Sequence, residues 1–410
     1  MSHNSKGKFI NLEYIDKNMG RGKGKLMIAY KFRAYPTPEQ EKKLHEISVI
    51  EAQLYNEMIK KANEINTNDL KTTEKTLRQV IHDLESLWKG KIYSTVIYFV
   101  EEKLLYNLKG LARLKKKGKK VGSLKPKEKF TFLFYRQHGF KIDIDEVELS
   151  KFGKIKVLFH RPIEGKIKGV GIKLDKDNKW YVYVVSEITP KPLPKTGKVV
   201  AIDWGIEKLI TTSDGTAIQN PLILDKLEEK IKRLQKALSR KRRGSKNYEK
   251  TRVKLAKLYK YTRNLINDYL HKVTTWLIEK YDVIYVENIK VEKLIQINRA
   301  KKLRRHILQA NYHKFLELLE YKAKLYGRQV IKVSPKNTSK KCSRCGYVNQ
   351  KLTINDRIFK CPKCSLEIDR DYNAAINILN AGLGQPKEPV EGKPLRYISF
   401  SEGVYSKFPG

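Results

Sequence analysis

The stretch CSRCGYVNQKLTINDRIFKCPKCSLEIDRDYNAAINIL, residues 342–379, decides the fold. Two CxxC pairs, Cys342/Cys345 and Cys361/Cys364, stand 15 residues apart. Four thiolates at this spacing close a tetrahedral structural zinc site and leave no open position for chemistry. Gly346 suits the tight knuckle turn that follows the second cysteine. All four cysteines of the chain lie in these pairs, so none remains for a disulfide framework, which fits a reducing compartment. After the last cysteine, Asp369 and Asp371 lead into a helix with Ile376, Ile378 and Leu379 on its apolar face. Ala374 and Ala375 would let that helix pack closely on a sheet. Either aspartate could be an ordinary helix cap; either could also face acids delivered from elsewhere in the chain.

Two upstream segments deliver such acids. KVVAIDWG (198–205) is a short apolar strand ending in Asp203, followed by LITTSDG (209–215), a second strand with a Ser-Asp-Gly turn. DVIYVE (282–287) repeats the design and ends in Glu287. An acid at the end of an apolar strand is costly unless it is paired or holds a cation. A turn aspartate or a solvent-facing glutamate is the plain alternative for each one alone. Together, acids from two strands and a late helix are what phosphodiester hydrolysis with two Mg²⁺ ions requires, since hard divalent cations prefer carboxylate oxygens. The pattern is RNase H-like, with the cysteine ribbon inserted before the last acid, Asp371.

The rest of the 410 residues points to a polyanion partner. Lys and Arg number 86 against 44 Asp and Glu, a net charge of +42. No apolar run is long enough to span a bilayer, and the N-terminus lacks an apolar signal core; the expected location is the cytoplasm. Charge alone fits structural RNA binders as well as enzymes. Leu26–Tyr35 alternates like a strand, and Thr37-Pro38-Glu39-Gln40 then carries a capping box with proline at the first helical position. Helical periodicity continues to about Leu114, interrupted near Asn66–Asp69. A basic run, Lys115–Lys120, follows. KFTFLFYRQ, FKIDIDEVEL, KIKVLFHRP, IKGVGIKL and WYVYVVSEI then read as strands of an antiparallel barrel. Three prolines in ITPKPLPKTGK (188–198) mark a linker. Between Asp203 and Glu287 a helical hairpin carries a heptad-like row, Leu224, Leu227, Ile231, Leu234 and Leu238, and a basic tip at Arg240–Arg243.

Taken in order, YKFRAYPTPEQ, GKIKVLFHRPIEGKIK, AIDWG, EYKAKLYG, SPKNTSKKCSRCG and DRDYNAAINIL resemble the TnpB family. These are RNA-guided nucleases of insertion sequences, related to type V CRISPR effectors. The likeness covers about residues 26–383. It implies an α+β multidomain chain: a wedge β-barrel (26–45 and 125–190), a helical recognition insert (46–124) and a RuvC-like nuclease domain (196–383) interrupted by the zinc ribbon (336–368). Outside the likeness, residues 1–25 read as a flexible basic N-terminus, and the tail (384–410), with Pro386, Pro389, Pro394 and Pro409, reads as disordered. By the same likeness Asp203, Glu287 and Asp371 are the catalytic, Mg²⁺-binding acids, Asp369 is not, and Cys342, Cys345, Cys361 and Cys364 hold Zn²⁺. The implied partners are a guide RNA and a double-stranded DNA target, cleaved beside a short adjacent motif. Small departures are Trp204 for an aliphatic residue, Asn288 for Asp, Ser365 for Gly and Tyr312 for Trp, the last expected to change packing only. Two other readings share these residues: a nuclease-inactive RNA-guided DNA-binding repressor, which would not need three intact acids, and a transposase accessory protein.

Overall fold

The computed structural model describes residues 24–64, 70–291, 311–334, 337–353, 356–385, 387–392 and 394–400. The N-terminal arm (save residues 24 and 25), the break at 66–69 and the side chain of Leu224 lie outside the described residues. The chain divides into two compact units, Met1–Thr189 and Pro190–Gly410.

The first unit opens on strand β1 (Leu26–Tyr35) and helix α1 (Pro38–Glu64). The capping box forms: Gln40 N–H donates to Thr37 Oγ1 at 3.3 Å, and Thr37 N–H to Gln40 Oε1 at 3.0 Å. Helix α1 therefore starts at Pro38 and runs unbroken through the domain boundary expected at 45/46. Helices α2 (Leu70–Asp83), α3 (Glu85–Trp88) and α4 (Ser94–Lys116) complete the helical part. Six strands follow: β2 (Phe132–Arg136), β3 (Phe140–Ile142), β4 (Glu146–Leu149), β5 (Gly153–Leu158), β6 (Lys166–Leu174) and β7 (Trp180–Ile188). The stretch FKIDIDEVEL is a hairpin, not one strand. Asp143 Oδ1 accepts from Ile144 N–H, and the turn leaves Ile144 90% exposed.

The seven strands pair antiparallel in the order β2-β6-β7-β1-β5-β4-β3. The two end strands, β2 and β3, are neighbours in sequence, joined by residues 137–139. A link that short spans at most ~15 Å, so the sheet has to curl until its ends meet. It is a nearly closed sheet without a bonded ladder between β2 and β3 among the described residues. Its interior is filled by Phe32, Ile155, Val170 and Val182, with Leu44, Leu54 and Val100 of the helices in the same apolar cluster.

The second unit is built on a six-stranded sheet of β8 (Val199–Trp204), β9 (Lys208–Thr212), β10 (Thr216–Gln219), β11 (Val283–Glu287), β12 (Gln329–Val333) and β15 (Arg396–Ile398). Their order is β12-β11-β8-β9-β10-β15. β8, β9 and β10 form an antiparallel meander; β11 and β12 lie parallel to β8. A parallel core strand is covered on both faces and reads as a continuous apolar run, which is what VVAI and VIYV are. On one face, helices α6 (Lys246–Lys280) and α7 (Tyr312–Tyr326) bring Leu270, Leu277, Phe315 and Leu319 onto Val200, Ile202, Ile284 and Val286. On the other, helix α8 (Arg370–Leu383) sets Ile378 and Leu379 on Ala201 and Tyr285. Helix α5 (Ile223–Ser239) pairs with α6 as the expected hairpin, and its basic tip is solvent-facing. The described part of the tail, up to residue 400, corrects the expectation of disorder after 383; residues 401–410 lie outside the described residues. β15 adds to β10 in parallel, and Phe400 is buried against Tyr269 and Trp276. The apolar and β-branched residues of RYISF account for this; of the tail's prolines, Pro386, Pro389 and Pro394 precede them.

Candidate active site

Asp203, the last but one residue of β8, and Glu287, the last of β11, lie on adjacent parallel strands. The register pairs Ala201 with Tyr285 and Ile202 with Val286, so the next position brings the two acids level, on strands ~4.8 Å apart. Asp371 arrives from the first turn of α8, which crosses β8, β9, β11 and β12. The three predicted acids thus meet at the carboxyl end of the parallel strands, where open α/β sheets place their ligands.

Their electrostatics are those of crowded carboxylates. Desolvation, then the charges of Glu287 and Asp371, push the Asp203 carboxyl well above the ordinary aspartate range; Arg370 and Lys208 pull against this. Burial likewise raises Glu287, opposed by the hydroxyl of Thr338, which donates to Glu287 Oε1. Asp369 is the cap of α8: its Oδ1 accepts from the backbone N–H of Asp371 and of Tyr372, both at 3.0 Å. Lys208, at the start of β9, bridges Asp369 at 2.7 Å and Asp371 at 3.0 Å. Burial works against its ammonium, but the two aspartates outweigh burial and raise its pKa.

Asp203 has no side-chain hydrogen bond or ion pair among the described residues. A desolvated carboxylate with no protein partner, beside two further acids, suits a hard divalent cation. The acids do not crowd as closely as the thiols do. Among the described residues, only the four cysteines form a group of three or more possible ligand atoms all within 4.8 Å of one another.

That group is built by two matching knuckles. Cys342 N–H donates to Tyr347 O and Gly346 N–H to Cys342 O; Cys361 N–H donates to Leu366 O and Ser365 N–H to Cys361 O. Gly346 (φ +76°) and Ser365 (φ +56°) take the same left-handed place in each. Sulfur separations are 3.6 Å for Cys342–Cys364 and 3.5 Å for Cys345–Cys361. Burial pushes the Cys342 thiol up to about 12, while backbone N–H groups of Cys345 and Arg344 directed at its sulfur favour the thiolate. Four thiols converging without a disulfide fit Zn²⁺. β13 (Ile358–Lys360) and β14 (Glu367–Asp369) form the ribbon's hairpin, and Phe359, Leu366 and Ile368 pack on Tyr372 and Ile376 of α8.

Sequence reasoning missed the polar contacts of five residues that hold this site. Thr338 and Lys208 contact the acids directly. Tyr312, expected to matter for packing only, also donates its hydroxyl to the carbonyl of Glu287. Asn373 and Asn377 bind the ribbon. The last pair was readable: two amides at i and i+4 on an otherwise apolar helix face need partners.

The structure defines a class: a helix-covered mixed sheet with three acids at the carboxyl end of its central strands, and a four-cysteine ribbon packed on the helix that carries the last acid. Comparisons place it more narrowly. Family models match residues 27–68 ("Helix-turn-helix domain"), 181–298 ("Probable transposase") and 312–378 ("Cas12f1-like, TNB domain"). Over its described residues, 27–64, the first matched segment is here a strand and one long helix, β1 and α1. The Escherichia coli K12 protein named "Putative RNA-guided DNA endonuclease InsQ" is 31% identical over 281 residues, covering 64% of this chain and 70% of that one. A TnpB-like protein of Methanocaldococcus jannaschii is 36% identical over 159 residues, covering 36% of this chain and 56% of its own. A solved Cas12f1–sgRNA–target DNA complex aligns at 16% identity with a TM-score of 0.49, covering 88% of this chain and 100% of that one. The chain belongs to the TnpB family. No described helix is long and apolar enough to cross a membrane.

Proposed function

We propose that this chain is an RNA-guided DNA endonuclease of an insertion-sequence element, acting in the cytoplasm of a prokaryote. A guide RNA selects the target by base pairing, and the protein reads a short adjacent motif on double-stranded DNA. The strand order of β8 to β12, an antiparallel meander extended by two parallel strands, supports an RNase H-like, RuvC-type nuclease domain. The curled sheet and α1–α4 support a wedge barrel with a recognition insert. The observation that carries the nuclease reading is the partnerless Asp203 carboxylate beside Glu287, with the charge of Asp371 close enough to act on it.

In this reading Asp203, Glu287 and Asp371 hold Mg²⁺, which when bound supplies an activated water and charge stabilisation for phosphodiester hydrolysis. The chain's own residues prepare that site. The surrounding sheet and helix desolvate Asp203; Thr338 and Tyr312 fix the side chain and backbone of Glu287. Asp369 holds the first turn of α8, and so Asp371, in place, while Lys208 offsets part of the negative charge. Cys342, Cys345, Cys361 and Cys364 hold Zn²⁺ as a structural ion.

The test is purification with the native flanking DNA, sequencing of bound RNA, and addition of matched target DNA with Mg²⁺. A defined RNA and target-dependent cutting are expected, with Asp203→Ala abolishing cutting and keeping RNA-dependent DNA binding. Absence of a defined RNA sinks the guided reading. Undiminished cutting by Asp203→Ala sinks the site assignment.

A further inference from the structure

A continuous polar path, buried at every side chain that bonds along it, joins the cysteine ribbon to Glu287 through the backbone of Lys341. Ser343, between the first two cysteines, donates its backbone N–H to Asn373 Oδ1 at 3.0 Å, and Asn373 Nδ2 donates to Lys341 O at 2.8 Å. Asn377 Nδ2 donates to the same Lys341 carbonyl at 2.6 Å and to Thr338 O at 2.8 Å. The Thr338 hydroxyl then donates to Glu287 Oε1. Asn373 is 0% exposed, Asn377 6%, Thr338 8% and Glu287 9%. At such burial an amide or hydroxyl that loses its partner incurs its full desolvation cost, so the members hold one another in a single arrangement.

We propose that Thr338 is a positioning residue for Glu287, and that Asn377 makes this positioning depend on the folded ribbon. This rests on reading Glu287 as a cation ligand. The geometry is directional. Lys341 precedes the first cysteine, so closure of the four-thiol site fixes the carbonyl that Asn373 and Asn377 share. Asn377 in turn fixes the backbone of Thr338, whose hydroxyl selects one orientation of the Glu287 carboxylate. Asp371 sits two residues before Asn373 on the same helix. The ribbon therefore has a second role besides bracing: it sets the orientation of one catalytic acid through Thr338 and anchors the helix that carries another.

The experiment measures Mn²⁺ affinity of the zinc-loaded full-length protein, from the electron paramagnetic resonance signal of free Mn²⁺. Thr338→Val, which keeps shape and loses the hydroxyl, should weaken Mn²⁺ binding about tenfold, with Thr338→Ser restoring it. Asn377→Leu should weaken it several-fold while one zinc per chain is retained. Asp203→Asn is the control that removes a ligand outright. If wild type shows no Mn²⁺ site that Asp203→Asn weakens, the reading of the acids fails and the inference falls with it. If Asp203→Asn weakens the site but Thr338→Val does not, the inference alone fails. Equal loss in Thr338→Ser and Thr338→Val would show packing, not the hydroxyl, and overturns the positioning role. Wild-type affinity in Asn377→Leu overturns the dependence on the ribbon.

Discussion

At the scale of single residues, the site trades stability for function. Asp203 is held where its ionised form is disfavoured, so its folded-state pKa lies above the unfolded value of ~3.9. The folded state then binds the proton more tightly than the unfolded chain. Stability is lost as pH rises from the unfolded pKa toward the raised folded one, and above that the penalty is constant. Asp203→Asn carries no such penalty. In Mg²⁺-free buffer it should melt above wild type at pH 7 and level with it near pH 4. A pH-independent difference would show that desolvation of the charge is not the cause. Two departures from the family pattern also meet here. Trp204 and Tyr312 pack edge to face with centroids 5.0 Å apart. A larger residue on the strand faces a smaller one on the helix, so the pair conserves volume. Neither position reports this alone, which is why the sequence showed two departures and not one exchange.

At the scale of elements, the sequence was most legible where one local pattern decides the outcome. The capping box fixed the start of α1, the apolar runs fixed β8 and β11, and the CxxC spacing fixed the ribbon. It was least legible where the partner is remote. Thr338 lies in a polar loop, and nothing local says that its hydroxyl meets a carboxylate 51 residues earlier. Lys208 looks like any strand-edge lysine until α8 folds over it, and β15 is too short to be distinguished from the tail around it. The seating of α8 gives an element-scale prediction. Gly382 lies so close to Tyr285 that an added Cβ would stand 2.2–2.6 Å from its ring. Tyr285 is on β11, two residues before Glu287. Gly382→Ala should cost ~1–3 kcal/mol, the range for overpacking, read as a lower melting temperature. Combining it with Tyr285→Ala, which removes the ring, should make the glycine replacement nearly neutral. A full additional loss in the double variant would mean that the glycine matters for something other than close approach.

For the whole molecule, the governing quantity is the charge of +42. Such a chain repels itself, and a polyanion relieves the repulsion while releasing its own counterions. Affinity for RNA should therefore fall steeply with salt. With about ten phosphates neutralised, log K against log salt has a slope of about −7 for single strands and −9 for duplex, so a fourfold rise in KCl costs roughly 10⁴-fold or more. Which basic groups contribute is a separate question, because an exposed lysine or arginine can simply be solvated. The hairpin tip, Arg240, Arg242 and Arg243, and the run Lys115–Lys120 are exposed. If the tip contacts phosphates, replacing its three arginines by glutamine should flatten the slope by about 2–3 and weaken binding similarly across RNA sequences. The apparent affinities of variant and wild type should then converge at high salt, where counterion release contributes least. An unchanged slope would assign the tip to solvent and leave the curled sheet, α1–α4 and the ribbon to carry the nucleic acid.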